Sequence, residues 1–269
     1  MLSPSSQVKK FHQGPGKVWL FPDVPATGAR LIIDVNGNPI VPAAGYPSWV
    51  ALTAYARGAK VKDGATPANT LIALVAGTSG TPTEPTTPTN IGDMVADGTG
   101  STAMIWVNAG PWGALYAGAI ETATTLTLTP KNEETGADQV PGPLDVIQTA
   151  EAAEIDVTMK ELSFDRLSLV ITNGLLALAT DALLPAGSQN VAEISFGGIR
   201  PVPRQSIAFI SPRRDDATKY IVGQLWQAYQ SEAAKVAATR LKETLIAAKF
   251  KGLYDDSRTD MCGKLYKQL

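Results

Sequence analysis

The 269-residue chain offers few residues that could carry out metal or nucleophilic chemistry. Its one histidine, His12, and its one cysteine, Cys262, lie near opposite ends of the sequence. A zinc site built from several His and Cys ligands and an intrachain disulfide are therefore excluded. Three carboxylates, Asp255, Asp256 and Asp260, could hold a metal ion, although acidic residues in a loop are more often simply solvated. We predict no catalytic residue, no metal and no cofactor.

Three aromatic residues, Trp49, Tyr55 and Trp106, could instead stack on the flat face of a sugar ring. A small β module also needs one or two aromatic side chains to build its core. Core packing is therefore the favoured interpretation, and glycan stacking is the alternative. The same reasoning places Trp19 and Trp226 in a core or at an interface.

The composition favours a globular protein with many turns. Hydrophobic residues make up 44% of the chain and charged residues 18%, and there are 24 glycines and 19 prolines. A formal net charge of −2 argues against a dedicated nucleic-acid binder, whose surface is usually strongly basic. No apolar run is long enough to span a bilayer, and residues 1–10 are polar. We therefore expect no membrane insertion and no export through a visible signal segment.

Local patterns predict strands along most of the chain. Residues 125–129 alternate Thr and Leu, and residues 153–159 also alternate, which is typical of half-buried strands. Strands are predicted at residues 18–21 and 30–35, the second of which is followed by the turn signal Asn36-Gly37. Together these patterns indicate a mainly β fold.

Other segments complete this reading. A short helix is predicted after the capping residue Ser163, with a stop at Asn173-Gly174. Residues 131–143 are predicted as a loop, and residues 193–196 and 206–210 as a strand pair. Residues 219–250 are rich in Ala, Lys, Gln and Glu, so composition leaves them open between helix and strand.

Residues 46–110 differ from the rest of the chain in composition and in local sequence pattern. Prolines in residues 77–90 fix the backbone and remove donors, so this stretch is predicted to be neither a helix nor a central strand. Short apolar runs at 71–75 and 104–107 are predicted strands. We therefore predict an inserted small all-β module at 46–110, within a discontinuous main domain formed by 1–45 and 111–269.

In chain order, the segments outside 46–110 resemble the tail tube (major tail) proteins of long-tailed bacteriophages. The order and the endings are more specific than any single motif. The stretches that carry the resemblance are GPGKVWL at 14–20 followed by PATGARL at 25–31, GAIET at 118–122, AEAAEIDVTMKEL at 150–162, and FKGLYDDSR at 250–258 followed by Gly263-Lys264-Leu265.

The inserted stretch resembles a small β module that recurs in phage structural proteins and is similar to chitin-type carbohydrate-binding modules. Thr87 stands where that module usually has an aromatic residue. The matching residues are Trp49, Thr53-Ala54-Tyr55, Gly58, Val61, Gly77-Thr78-Ser79-Gly80, Glu84-Pro85, Asp97-Gly98 and Trp106.

The tail tube resemblance implies a β-sandwich or barrel subunit with a flanking short helix. It implies assembly as stacked hexameric rings that form a hollow conduit for DNA, with the inserted module on the outer surface. The implied partners are copies of the chain itself, a tape-measure protein, and tail-terminator and tail-tip proteins, with DNA only in transit. The implied location is the virion tail, and the host cytoplasm during assembly. The resemblance also favours strands at 220–229 and 244–253.

Within such a tube, the densest basic cluster could face the DNA or a neighbouring subunit. Its members are Arg200, Arg204, Arg213 and Arg214. A subunit contact is favoured, because a lumen that binds phosphates tightly would stall the DNA. Residues 1–16 and 131–143 are expected to be arms that order on assembly.

Two other classes of function stay open. In one, the protein is a carbohydrate-binding adhesin or an accessory decoration protein whose 46–110 module binds a glycan. In the other it is an enzyme, such as a hydrolase that uses Asp or Glu, for which scattered carboxylates are the sole support.

Overall fold

The fold is described from a computed structural model of the chain. The residues it describes are 16–22, 31–34, 36–42, 45–64, 69–80, 84–98, 103–117, 120, 124–135, 145–160, 164–171, 175–180, 185, 190–197, 202–213, 215–216, 218–232, 234–239, 242–255 and 262–269.

Across these residues the fold is mainly β, as predicted, with several antiparallel sheets, one short α-helix and no closed barrel. The helix α1 spans Phe164–Val170, and a 3₁₀ turn covers Gly110–Trp112. The strands are β1 (Lys17–Pro22), β2 (Ala54–Tyr55), β3 (Lys60–Lys62), β4 (Thr70–Val75), β5 (Gly77–Thr78), β6 (Met94–Asp97), β7 (Met104–Asn108), β8 (Leu115–Tyr116), β9 (Thr125–Thr135), β10 (Asp145–Met159), β11 (Leu175–Thr180), β12 (Asn190–Ser195), β13 (Gln205–Pro212), β14 (Tyr220–Gln230), β15 (Lys235–Thr239), β16 (Lys242–Gly252) and β17 (Gly263–Lys267).

The main sheet has nine strands, with β8-β1-β13-β14-β16-β10-β9 in order. Strand β15 pairs with β16 along the edge that faces away from β10, and β17 pairs with β14. One edge of β14 pairs with two different strands. Residues 221–225 pair with β17, and residues 228–230 pair with β16. The opposite edge pairs with β13 along its length. Strand β14 is therefore the element on which the two halves of the sheet meet.

A second, four-stranded sheet in the order β3-β4-β7-β6 lies within residues 46–110, beside the pair β2-β5. Among the described residues, these strands form ladders only with one another. Both faces of β4 and β7 are buried, which explains their continuous apolar runs. The domain boundaries at 46 and 110 stay a prediction.

The principal core unites the two sheets. Leu20 and Ile207 of the main sheet, Val170 of α1, and Ile72 and Ile105 of the four-stranded sheet belong to one cluster of buried side chains. The alternate residues of β4 and β7 point the other way and form a separate small cluster around Trp106. Residues 46–110 therefore pack into the main core along one face of their sheet.

Two cations of the four-stranded layer also reach the rest of the chain. The Lys60 ammonium lies 3.5 Å from the centre of the Phe21 ring and donates to the Pro22 carbonyl at 2.8 Å. Arg57 Nη2 donates to the Ser168 carbonyl in α1 at 3.1 Å. Burial lowers the pKa of Arg57 to about 10, so this guanidinium is charged at neutral pH.

Most predicted elements are confirmed. The apolar runs of 46–110 form β4 and β7, the alternating segments lie in β9 and β10, and the short helix is α1. The C-terminal strands expected at 220–229 and 244–253 are β14 and β16. Residues 245–250 of β16 alternate between half-buried and buried positions, whereas residues 222–226 of β14 are all buried, and this sheet packing overrides the helical propensity of the composition.

Three predictions of local structure are wrong. Residues 131–135 are not a loop, because they continue β9 and pair with β10; residues 136–143 lie outside the described residues. Residues 193–196 do not pair with 206–210: β12 pairs with β11, while β13 is already flanked by β1 and β14. Within the predicted strand 30–35, the described residues 31–34 form no strand and contribute a single bridge, Ile33 to Pro39, around an Asn-Gly turn held by the Asp34 carboxylate.

Candidate assembly interface

The three aromatic candidates surround a buried carboxylate. The indole N–H groups of Trp49 and Trp106 donate to the same oxygen, Oδ2 of Asp97, at 2.9 and 2.8 Å. The backbone N–H of Gly80 donates to Oδ1 at 2.7 Å. Asp97 is 3% exposed. Three donors thus replace the water that this carboxylate has lost, and they fix both indoles in place.

This arrangement gives the aromatic residues a structural role. Trp106 is fully buried and meets the Tyr55 ring edge-on, with 5.1 Å between ring centres. Trp49 and Tyr55 are half-buried against the same cluster, and the Tyr55 hydroxyl accepts from the backbone N–H of Val50. Trp106 has no exposed face to offer a sugar ring, which agrees with the core interpretation.

The basic cluster is only partly described. Arg200 and Arg214 lie outside the described residues. Arg204 is exposed, with Nη1 3.4 Å from Oε1 of Gln227. Arg213 forms an ion pair with Asp215 and donates to the Gln268 carbonyl at 2.6 Å. Hydrogen bonding to Arg213 lowers the pKa of Asp215 to about 2. Arg213 thus holds the chain end against the main sheet, and a subunit or lumen contact for this cluster stays a prediction.

The remaining chemical candidates form no described site. His12, Asp256 and Asp260 lie outside the described residues. Cys262 is half-buried, and burial raises the pKa of its thiol, which keeps it protonated and unreactive at neutral pH. Where side chains are described, no group of three or more His, Cys, Asp or Glu residues could hold a metal ion.

The most unusual surface is the outer half of the β9–β10 hairpin, which we call the arm (residues 130–135 and 145–151). Nearer the body, β10 alternates buried and half-buried side chains from 152 to 159. From 145 to 151 every residue of β10 is exposed, as are residues 130–134 of β9. A two-stranded ribbon exposed on both faces has little to stabilise it in water.

Each face of the arm combines an apolar side chain with acidic ones, and one face also carries Lys131, whose ammonium lies 3.9 Å from a carboxylate oxygen of Glu133. Val146 stands opposite Glu134, and Ile147 stands opposite Glu133 on the other face. Val146 and Ile147 are more than half exposed. Thr149 is an extra residue at a β-bulge, where pairing shifts between Gln148 and Ala150. The arm therefore presents an acidic and apolar surface on both sides.

A complementary surface lies on β17. In the described part of the chain, β17 pairs with β14 along one edge, and nothing pairs with its other edge. Leu265 and Lys267 share a face of this strand, and both are exposed, as is Lys264. We call residues 263–267 the basic strand.

A cavity of about 550 Å³ separates the basic strand from the base of the hairpin. Apolar side chains line much of it, including Leu126, Leu128, Leu225 and Leu265. Leu128 and Leu265 are more than half exposed at its mouth. An open apolar cavity beside a free strand edge is a surface suited to binding another strand.

Sequence reasoning located the arm only approximately and missed the basic strand. Residues 131–143 were predicted as a loop that acts as an arm, whereas residues 131–135 are paired strand and residues 136–143 lie outside the described residues. The local sequence gives little sign of the basic strand, because Leu265 and Tyr266 are adjacent and do not alternate with the lysines, and its open edge follows from pairing with β14, about 40 residues earlier.

The search for a membrane-spanning helix and the comparisons with known proteins add no identification of this chain. Among the described helical residues, no segment is long and apolar enough to cross a membrane. No protein-family model matches the chain, and no curated protein is similar enough in sequence to count as a relative.

Proposed function

We propose that this protein is a structural subunit that binds copies of itself, and that it forms the tail tube of a long-tailed bacteriophage. In this proposal it is not an enzyme. Its subunits close into hexameric rings, and the rings stack into a hollow conduit through which DNA passes. The resemblance of residues 14–31, 118–122, 150–162 and 250–265 to tail tube proteins supports the identity.

The arm is the observation that carries the proposal. A ribbon that exposes Val146 and Ile147 on its two faces is costly in an isolated subunit, and it becomes favourable once a partner covers it. Burial of Val146 and Ile147 would contribute about 1.5–3 kcal/mol each. The arm is therefore expected to find its covering surface on another copy.

The basic strand is the partner surface that fits the arm best. The arm carries Glu133 and Glu134 beside apolar side chains, while the basic strand carries Lys264 and Lys267 beside Leu265. Opposite charges set the orientation and the rate of association, and apolar burial supplies affinity. The free edge of β17 can also accept backbone hydrogen bonds from a strand.

A contact between two different surfaces of identical copies is head-to-tail. Such contacts close into rings when the rotation between copies allows it, and they continue without limit along an axis when it does not. A tube requires one contact of each kind. Its length then has to be set by other proteins, for which the tape-measure, tail-terminator and tail-tip proteins are the proposed partners.

The first test removes the apolar part of the arm. We expect the full-length protein at high concentration to form rings or tubes in negative-stain electron microscopy. Val146→Asp combined with Ile147→Asp should leave a monomer in sedimentation velocity, because a buried carboxylate opposes the contact. The control Val50→Asp, at another exposed valine, should assemble normally. Dispersed wild-type monomers at every concentration would overturn the proposal.

The second test exchanges charges between the two surfaces. Glu133→Lys with Glu134→Lys should block assembly, and so should Lys264→Glu with Lys267→Glu, because like charges would then meet. Mixing the two blocked variants in equal amounts should restore assembly, since each arm again meets an oppositely charged strand. Normal assembly of the Lys264→Glu, Lys267→Glu variant would rule out the basic strand as the partner surface.

A further inference from the structure

A second cavity, of about 410 Å³, lies where the 46–110 layer meets the main sheet. Its walls come from β1, β8, the 3₁₀ turn at Gly110–Trp112, the turn at residues 91–92 and the helix α1. This volume falls within the usual range for small-molecule sites. The cavity is separate from both the arm and the cluster around Trp106.

Three aromatic rings form one wall of this cavity. Trp19 meets Trp112 at 64° with 5.4 Å between ring centres, and it meets Tyr116 at 54° with 5.5 Å. Trp19 is nearly fully buried, and its indole N–H donates to the Gly37 carbonyl at 3.2 Å, which fixes its orientation. Trp112 and Tyr116 are half-buried, so part of each ring faces the cavity.

The rest of the lining combines the apolar side chains of Ile91 and Leu115 with one amide and two cations. Lys17, Arg166 and the amide of Asn38 all line the cavity. Among the described residues, no carboxylate lines it. The described lining thus carries two cations and no carboxylate, and its hydrogen-bonding groups lie beside aromatic rings.

We infer that this cavity binds a sugar unit that carries a carboxylate, as in a uronic acid. A pyranose ring has apolar C–H faces that suit aromatic walls, and hydroxyl groups around its rim that suit an amide and a tyrosine. Its carboxylate suits the ammonium of Lys17 and the guanidinium of Arg166. The carboxylates of an acidic peptide could also pair with Lys17 and Arg166. Such a peptide has fewer hydroxyl groups for the Asn38 amide and Tyr116 to bind, so the sugar acid fits better.

This inference does not depend on the tube. The cavity is built entirely within one chain, so an isolated subunit should bind the ligand whether or not it assembles. It also differs from a glycan site on Trp49, Tyr55 and Trp106, because those residues surround Asp97 on the other face of the four-stranded sheet.

Binding to the full-length protein can be measured by saturation-transfer NMR and titration calorimetry. The probes are galacturonate monomer, a galacturonate trimer, the matching neutral galactose sugars and a short Glu-rich peptide. We expect saturable binding of the galacturonates, and binding of the neutral sugars weaker by about tenfold, the difference one charge-assisted contact supplies. A preference for trimer over monomer would place the ligand in a polymer, and equal binding would place it as a free sugar.

Two variants with a control complete the test. Lys17→Gln should weaken galacturonate binding by about tenfold, whereas Lys62→Gln, at an exposed lysine of β3, should not change it. Trp112→Phe should weaken both charged and neutral sugars, with the thermal unfolding midpoint recorded to show that the fold is retained. Absence of galacturonate binding, equal binding of neutral sugars, or binding of the peptide alone would each overturn the inference.

Discussion

At the scale of single residues, Asp97 shows how a buried charge organises its surroundings. Its two oxygens accept hydrogen bonds from two indoles and one backbone amide, and the residues that donate them lie up to 48 positions from Asp97 in the sequence. The sequence favours core packing over glycan stacking for Trp49 and Trp106, but it predicts no role for Asp97. A carboxylate in a turn sequence such as Asp97-Gly98 gives no local sign that distant donors will enclose it.

Asp97→Asn should therefore destabilise the fold. An amide can present only one oxygen, so either the indoles or the Gly80 N–H would face an N–H group. The expected loss is about 2–3 kcal/mol in the free energy of unfolding, measured by urea denaturation. Asp93→Asn, at an exposed carboxylate nearby, should change it by less than about 0.5 kcal/mol. Equal effects of the two substitutions would contradict this role for Asp97.

At the scale of elements, alternating and apolar patterns predicted most strands, but pairing depended on contacts far apart in sequence. Residues 153–159 alternate because one face of β10 is buried, and that signal is local. Strand β12 lies close to β13 in the chain but pairs with β11, because β1 and β14 occupy both edges of β13. Nothing in residues 190–212 alone could specify that choice.

Gly223 illustrates a strand residue whose role depends on its partner. It stands opposite Phe209, and a Cβ at this position would lie 2.1 Å from the phenylalanine ring. The ring therefore covers the glycine, and composition alone suggests only a break in a helix.

Gly223→Ala should displace the Phe209 ring and cost about 1–3 kcal/mol, measured as the free energy of unfolding. The control is Gly64→Ala, where a Cβ would meet its nearest neighbour at 3.6 Å, an ordinary contact. A Gly223→Ala variant as stable as Gly64→Ala would mean that β13 and β14 are not packed in this register.

At the scale of the whole molecule, the shared core changes the meaning of an inserted module. Composition and turn signals marked out residues 46–110, and their strands do pair with one another. Even so, Ile72 and Ile105 are buried in the same cluster as Leu20 and Ile207 of the main sheet. This packing could not be predicted. The apolar runs of β4 and β7 indicate that both faces are buried, but they do not indicate whether the main sheet or another part of residues 46–110 covers the second face.

The chain should accordingly unfold as one cooperative unit. Ile72→Ala should lower the free energy of unfolding by about 2–5 kcal/mol and shift near-UV and far-UV circular dichroism transitions together. Val50→Ala, at an exposed position, serves as the control. Two separate transitions, with Ile72→Ala affecting one of them, would show instead that residues 46–110 unfold independently.

The bulge at Thr149 has a consequence for how the hairpin can be aimed. Side chains alternate along a strand, so the additional residue exchanges the faces on which the outer residues of β10 point relative to its inner residues. Val146 stands opposite Glu134, on the side that Leu128 and Ala153 occupy nearer the body. A bulge also bends and twists its strand, so deleting Thr149 would restore a regular ladder and change the direction in which the outer ribbon projects, while the core beneath it kept its place. Chain length at position 149 is thus a means of reorientation that no exchange of side chains can supply.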